Sequence, residues 1–446
     1  MQKDIIDDKV YNHMRNDIVY EGADQLTYEI REIVNVAQKI EKTGINISWE
    51  NIGDPVAKGE KIPQWIKDIV AETIKDDASF AYSPTRGLLS TREYIAKERN
   101  LEGGIQITAD NILFFNGLGD AISKVYTYLN SKARVIGPNP AYSTHSSAEA
   151  GHADSPHITY KLDPNNHWYP DLKDLREKIE TSKDISGILI INPDNPTGMV
   201  YPEEVLKQII EIAREFKLFI ISDEIYSNLC YGGIQHKKLA SVIGDVPGLA
   251  MRGISKEFPW PGSRCGWVEF YNCDKDESFA QYAKTLLDAK MLEVCSTTLP
   301  QKVLPKVMGD PRYYPYLMER NSVYQKRSEV AYNIFSKIPE LIVHKPNGAF
   351  YMTVVFKDGV LNSEQKLEPA NTEAGRIVEE ISKTGKLDKR FVYQLLASRG
   401  ICVVPLSSGF NSNLYGFRIT LLEPDENTFI KIIETISEAV IEYVSR

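Results

Sequence analysis

The stretch GILIINPDNPTGMVYPEEVLKQIIEIAREFKLFIISD, residues 187–223, decides the fold. It opens on the β-rich run GILII (187–191) and closes on LFIIS (218–222) followed by Asp223. Between them an amphipathic stretch covers 202–216. Strand, helix and strand in that order predict a mostly parallel sheet covered by helices. The alternation extends to both sides. Further β-rich runs stand at 112–115 (ILFF), near 133–136, at 249–254 and at 266–270, and 118–130 reads as a helix.

Farther out the pattern changes. Residues 1–50 are polar and weakly helical, with EIREIVNVAQKIEKTG closed by Gly44. A helix starts at Pro63 and sets Trp65, Ile66, Ile69, Val70 and Ile74 on one face. A long helical pattern fills 310–338, followed by β-rich runs at 349–356, 401–404 and 416–422. These later runs read as a smaller α+β domain. The polar segment 357–390 is either an insertion or a mobile lid, and composition leaves both open. The expected division is therefore an N-terminal arm with part of the small domain (1–60), a large α/β domain (61–320) and a C-terminal small domain (321–446). No internal repeat interrupts it.

Composition narrows the function. With 446 residues, 42% hydrophobic and 25% charged, the chain reads as an ordinary globular protein of two or three domains. A formal net charge of −9 argues against nucleic-acid and anionic-membrane partners. The five cysteines (Cys230, Cys265, Cys273, Cys295, Cys402) form no CxxC pair, so neither a disulfide framework nor a zinc site is expected. The seven histidines show no ligand spacing, and His152 and His157 read as surface residues. No secretory leader and no apolar stretch of membrane-spanning length is visible, so the expected compartment is the cytosol.

Four segments carry chemistry. GISKEFPWPGSRCG (253–266) follows a strand and offers Lys256, an amine able to form an imine, and Arg264, able to clamp a phosphate. INPDNPTG (191–198) is a tight turn at a strand's C-terminal edge, where open α/β sheets bind ligands. IISDEIYSNL (220–229) ends a strand on Asp223 with Tyr226 three residues later; a helical turn there would set both on one face. NILFFNGLGDAISKVYTYL (111–129) feeds a strand through a Gly-containing turn into a helix, whose free N–H groups make an anion site. Each alone has an ordinary reading: a solvated lysine, a common Asn-Pro turn, a helix cap, a βα turn.

Together and in this order they resemble class I/II aminotransferases of the pyridoxal-phosphate (PLP) fold-type-I superfamily, over roughly residues 45–430. The resemblance implies that Lys256 holds the cofactor as an imine and shuttles the proton, and that Asp223 pairs with the pyridine nitrogen. It implies that Tyr226 and Asn195 donate to the ring's phenolic oxygen, and that Tyr142, in PNPAY, stacks on the ring. Leu118, Gly119, Ser255 and Arg264 would cup the phosphate. Tyr82, in AYSPTRGLLSTRE, would reach the phosphate of a partner subunit, implying a homodimer. Arg418, in GFRITLL, would bind the substrate α-carboxylate, with Gly53, in NIGDP, and Asn195 beside it.

The sequence departs from the family at Gly119, where Ser or Thr is common, at Pro259 and Trp260 after the lysine, and at Cys265; the segment 357–390 also looks longer than usual. The implied reaction moves an amino group between an L-amino acid and a 2-oxo acid. A PLP-dependent carbon–sulfur β-lyase uses the same lysine and remains the alternative. A non-catalytic PLP-binding regulator would need a DNA-binding domain that is not visible in the first 50 residues. Lys290, ahead of CSTTLP, stands where a second substrate cation would be wanted, or is merely solvated.

Overall fold

The computed structural model describes residues 18–25 and 29–445; of the expected N-terminal unit 1–60, residues 1–17 and 26–28 lie outside the described residues. The deciding stretch folds as the sequence predicts. The strand Ile185–Ile191 leads through a turn to the helix Glu203–Phe216, and the chain returns on the strand Phe219–Asp223. The helix buries Leu206, Ile209, Ile210, Ile212 and Ala213 against the sheet. Each large aliphatic side chain so buried contributes about 1.5–3 kcal/mol. Glu203 and Glu204 favour its positive N-terminal end. Lys217, at φ 56°, turns the chain out of it.

The large sheet has eight strands in the order Ile112–Phe115, Gly266–Tyr271, Gly248–Gly253, Phe219–Asp223, Ile185–Ile191, Arg134–Asn139, Thr159–Asp163, Tyr169–Pro170. The middle strands run parallel; Gly266–Tyr271 lies antiparallel to both its neighbours, and Tyr169–Pro170 is an antiparallel edge. The result is an α/β fold with a mostly parallel mixed sheet between helices. The register aligns Ile191 with Asp223, Asp223 with Met251, Gly253 with Gly266 and Gly266 with Phe115. One edge of the sheet thus collects every loop that the sequence marked.

The smaller α+β part is a four-stranded antiparallel sheet, Leu341–Val343, Tyr351–Phe356, Gly416–Thr420 and Val404–Pro405. The helices Tyr313–Phe335 and Glu426–Val444 pack together beside it. The expected strand 401–404 splits in two. Ile401–Cys402 pairs in parallel with Ser48–Trp49, drawing the chain before the large sheet onto the small one, and Val404–Pro405 joins the antiparallel sheet.

The segment 357–390 is a packed layer rather than a lid. Leu361, Gln365 and Leu367 are buried in its loop, and its helix Thr372–Thr384 packs on Leu387–Arg399 and on Glu29–Glu41. His152 and His157, expected at the surface, are half-buried. His152 lies on the helix Ser143–Ala153 with Nε2 3.1 Å from the Ala133 carbonyl oxygen. His157 packs on Gly137, and burial pushes its imidazole down to about 3. The serines and alanines that look loop-like are small enough to let that helix sit close on the sheet.

Candidate active site

At the common edge of the large sheet lies a cavity of about 320 Å³. Gly53, Leu118, Gly119, Tyr142, Asn195, Asp223, Tyr226, Ser255, Lys256, Arg264 and Arg418 all line it. These residues come from seven separate loops and strands. Five follow strands of the large sheet that share a direction and so present their C-terminal ends on one side, while Gly53 comes from the loop after Ser48–Trp49 and Arg418 from the small antiparallel sheet. Among the described residues three larger hollows, about 370, 650 and 860 Å³, hold none of them.

The Lys256 amine donates to the Gly53 carbonyl oxygen at 2.6 Å. Burial holds this amine down to about 8; Asp54 and Asp223 pull it up, while Arg418 and Arg264 push it down. An amine with a depressed pKa carries more of its neutral, nucleophilic form near neutral pH.

Asp223 ends its strand with both carboxylate oxygens engaged. Oδ1 accepts from the Ile225 N–H at 3.1 Å, and Oδ2 lies 3.1 Å from His145 Nε2. Residues 225–228 after it form a hydrogen-bonded turn, the Ser227 N–H donating to the Glu224 carbonyl oxygen at 3.0 Å. The cap reading and the functional reading therefore coexist on one side chain. His145, fully buried three residues beyond Tyr142, was missed in the sequence. Its only sequence signal is an imidazole among the small residues of STHSSAEAGHA.

The Tyr226 hydroxyl lies 3.1 Å from that of Tyr351. Burial and then Tyr351 hold the Tyr226 phenol well above its ordinary value, so it keeps its proton for donation. Arg418 Nη1 donates to Asn195 Oδ1 at 3.3 Å and Nη2 to the Asn51 carbonyl oxygen at 2.5 Å. Its guanidinium lies 4.4 Å from the Tyr351 ring centroid and 5.1 Å from that of Phe410. Asn51, Asp54 and Tyr351 also line the cavity, and sequence reading did not single them out. A Cβ on Gly53 would come within 2.2 Å of the Tyr351 hydroxyl, which is why glycine stands there.

An anion cup closes the other end. Gly117, at φ 82°, starts the helix Leu118–Thr127, whose first N–H groups have no partner within the helix. A Cβ on Gly117 would meet Arg264 Nη2 at 2.5 Å; glycine lets the guanidinium close on the helix start. At Gly119 the nearest such atom is 4.0 Å away, so the space of the family's usual hydroxyl is open. Ser255 also lines the cavity. A helix start and a guanidinium for a phosphate, a carboxylate for a ring nitrogen, a phenol for a ring oxygen and a suppressed lysine share one cavity, and these residues fit pyridoxal phosphate.

Two residues lie elsewhere. Lys290 is neither at the site nor solvated: it is fully buried, pairs with Glu293 and, at 3.5 Å, with Asp120, and sits 5.4 Å from the Phe115 ring centroid. Tyr82 does not line the cavity and is 82% exposed. Its loop is tied to the cup's outer wall: Ser83 Oγ donates to the Ser296 carbonyl oxygen at 3.1 Å, and Thr297 Oγ1 to that of Arg264 at 3.1 Å. Among the described residues no His, Cys, Asp or Glu group is arranged to hold a metal ion, and no helix is long and apolar enough to cross a membrane.

Comparison with known proteins agrees with this geometry. The family model for aminotransferase class I and II matches residues 50–433. An uncharacterized aminotransferase of Methanocaldococcus jannaschii is 57% identical over 431 residues, 97% of this chain and 100% of that one. The glutamate–pyruvate aminotransferase of Escherichia coli is 29% identical over 336 residues, 74% of this chain and 80% of that one. The solved alanine aminotransferase from Pyrococcus furiosus superposes with a TM-score of 0.82 at 26% identity, covering 95% of this chain and 100% of that one.

Proposed function

The chain belongs to the class I and II aminotransferases, and from that premise we propose which residues do the work and on what. The protein is a PLP-dependent aminotransferase acting on amino and 2-oxo acids; a carbon–sulfur lyase is not favoured by its relatives. When bound, pyridoxal phosphate supplies the electron sink and carries the amino group between the two half-reactions. Lys256 holds the cofactor and moves the proton at the substrate α-carbon. Asp223 keeps a proton on the ring nitrogen, and His145 orients it. Tyr226 and Asn195 would donate to the ring oxygen, and Tyr142 would support the ring. Leu118, Gly119, Ser255 and Arg264 hold the phosphate. Arg418 fixes the substrate carboxylate, and with it the bond at the α-carbon that breaks, while Gly53 and Asn51 stand beside it. The observation that carries this assignment is the convergence of these groups on one 320 Å³ cavity.

The substrate pair we propose is glutamate with pyruvate and, in reverse, alanine with 2-oxoglutarate. The support is the named activity of the Escherichia coli and Pyrococcus furiosus relatives. A screen of amino donors against oxo acceptors on purified protein tests it: alanine and glutamate should exceed all other donors. Preference for an aromatic donor would overturn the substrate pair while leaving the reaction class standing.

We further propose a cytoplasmic homodimer with shared sites. Phe80, Tyr82, Leu292 and Val294 are 75%, 82%, 84% and 50% exposed around the cup's outer wall, an apolar patch of the kind that marks an interface. The division at 60 and 320 belongs to the same reading. Every strand of the large sheet lies between 112 and 271, and the four-stranded sheet between 341 and 420.

A further inference from the structure

Arg320, on the helix Tyr313–Phe335, is 6% exposed and points its donors in two directions. Nη1 donates to the carbonyl oxygens of Lys256, at 2.8 Å, and Glu257, at 2.6 Å. Nε and Nη2 grip Glu60 at 2.5 and 3.2 Å, and the Tyr324 hydroxyl adds a bond to Glu60 at 3.0 Å. Glu60 ends the strap 50–60, whose Asn51, Gly53 and Asp54 line the cavity. The other end of that segment is held as firmly: Lys58 Nζ bonds to Glu50 at 2.9 Å, and the Thr420 N–H to the Glu50 carbonyl oxygen at 3.0 Å. Between these anchors stand the two carbonyls that matter, Asn51 accepting from Arg418 and Gly53 accepting from Lys256.

The path closes on itself. From the Lys256 amine it runs to Gly53, along the strap to Glu60, through Arg320 and back to the Lys256 carbonyl. Glu257 extends it, because its carboxylate accepts from Ser227 Oγ and Asn228 Nδ2, both at 3.0 Å, on the loop that carries Tyr226. The spare donors of this buried guanidinium are satisfied on the backbone of the reactive lysine itself, which ties the pair to the site, while buried pairs as such are weak stabilisers. We propose that Arg320 and Glu60 are positioning residues that latch the 50–60 strap to the backbone of Lys256 and so set the separation between the amine and the strap above it.

The proposal rests on Lys256 being the acting amine. Its test therefore has one arm without cofactor: amide hydrogen exchange of the cofactor-free protein, compared among wild type, Glu60→Gln, Arg320→Gln and Arg320→Lys. Glu60→Gln keeps shape and removes charge at a partly exposed position, so it remains readable should Arg320→Gln fold poorly. The expected result is faster exchange across 51–60 in Glu60→Gln and Arg320→Gln. In the holoenzyme, kcat should fall about tenfold to a hundredfold with KM changed far less, because the proton-transfer geometry is lost rather than the carboxylate contact. Arg320→Lys should restore part of the exchange protection but little of kcat, since an ammonium cannot span Glu60 and two carbonyls. Unchanged exchange in Glu60→Gln, or faster exchange with unchanged kcat, would overturn the latch. A cofactor label found on another lysine would instead remove the premise, and the exchange arm would still report whether the strap is held.

Discussion

Nε2 of His145 lies 3.1 Å from Oδ2 of Asp223, and the other ring nitrogen lies 3.4 Å from the Tyr126 hydroxyl. His145 and Tyr126 are fully buried and Asp223 is nearly so, forming a chain that backs the carboxylate on the side away from the cavity. Asp223→Ala is expected to lower kcat far more than it weakens PLP binding, because the phosphate cup stays intact. His145→Gln keeps the carboxylate but loosens its orientation, and should cost about tenfold to a hundredfold in kcat. Steady-state kinetics beside PLP titration separates the two effects. Near-wild-type turnover in Asp223→Ala would reduce that residue to a turn cap.

Borohydride reduction of the holoenzyme followed by peptide mapping should place the cofactor label on Lys256. Lys256→Ala should still bind PLP and lose nearly all transamination. In the cofactor-free protein, burial disfavours the ammonium form, so acylation of Lys256 should rise with pH around a midpoint of about 8. A midpoint in the ordinary lysine range, above 10, would contradict the buried environment.

Arg418→Lys keeps the charge but loses the planar fork. Loss of a bidentate, charge-assisted pair costs about 2–3 kcal/mol, or tens of times to about a hundredfold. KM should rise by that factor for amino acid and oxo acid alike, since both carry the same carboxylate. A rise for one substrate only would place Arg418 on a side chain instead.

Gly117→Ala should weaken PLP binding by about tenfold or more, because its φ of 82° and the 2.5 Å approach to Arg264 leave no room for a methyl group. Gly119→Ser, where the space is open, should preserve or tighten binding. Fluorescence titration with PLP distinguishes the two. Equal affinity for wild type and Gly117→Ala would show that Arg264 does not close the cup.

Light scattering should report a dimer. Mixing an inactive Lys256→Ala chain with an inactive Tyr82 variant should recover activity, since the mixed dimer holds one site with its own Lys256 and the neighbour's intact Tyr82. Monomers at working concentration, or no recovery in proven mixed dimers, would end the shared-site reading.

The sequence by itself determined the parallel sheet and the loops that carry the chemistry. Apolar runs of strand length, separated by amphipathic helices, have one way to bury themselves. The turns after Ile191 and Asp223 and beyond Phe115 and Gly253 then fall on one edge because parallel strands share a direction. Local patterns reach no farther. His145 meets Asp223 across 78 positions, and Glu60 meets Arg320 across 260. Nothing in either neighbourhood announces the other, since the direction of each side chain is set by how its helix packs. The same holds for 357–390, whose composition left an insertion and a mobile lid both open until the packing of Thr372–Thr384 showed a buried face. Tertiary structure alone decided which polar groups became partners, because a buried carboxylate or guanidinium must find its hydrogen bonds wherever packing has brought a donor or an acceptor within reach.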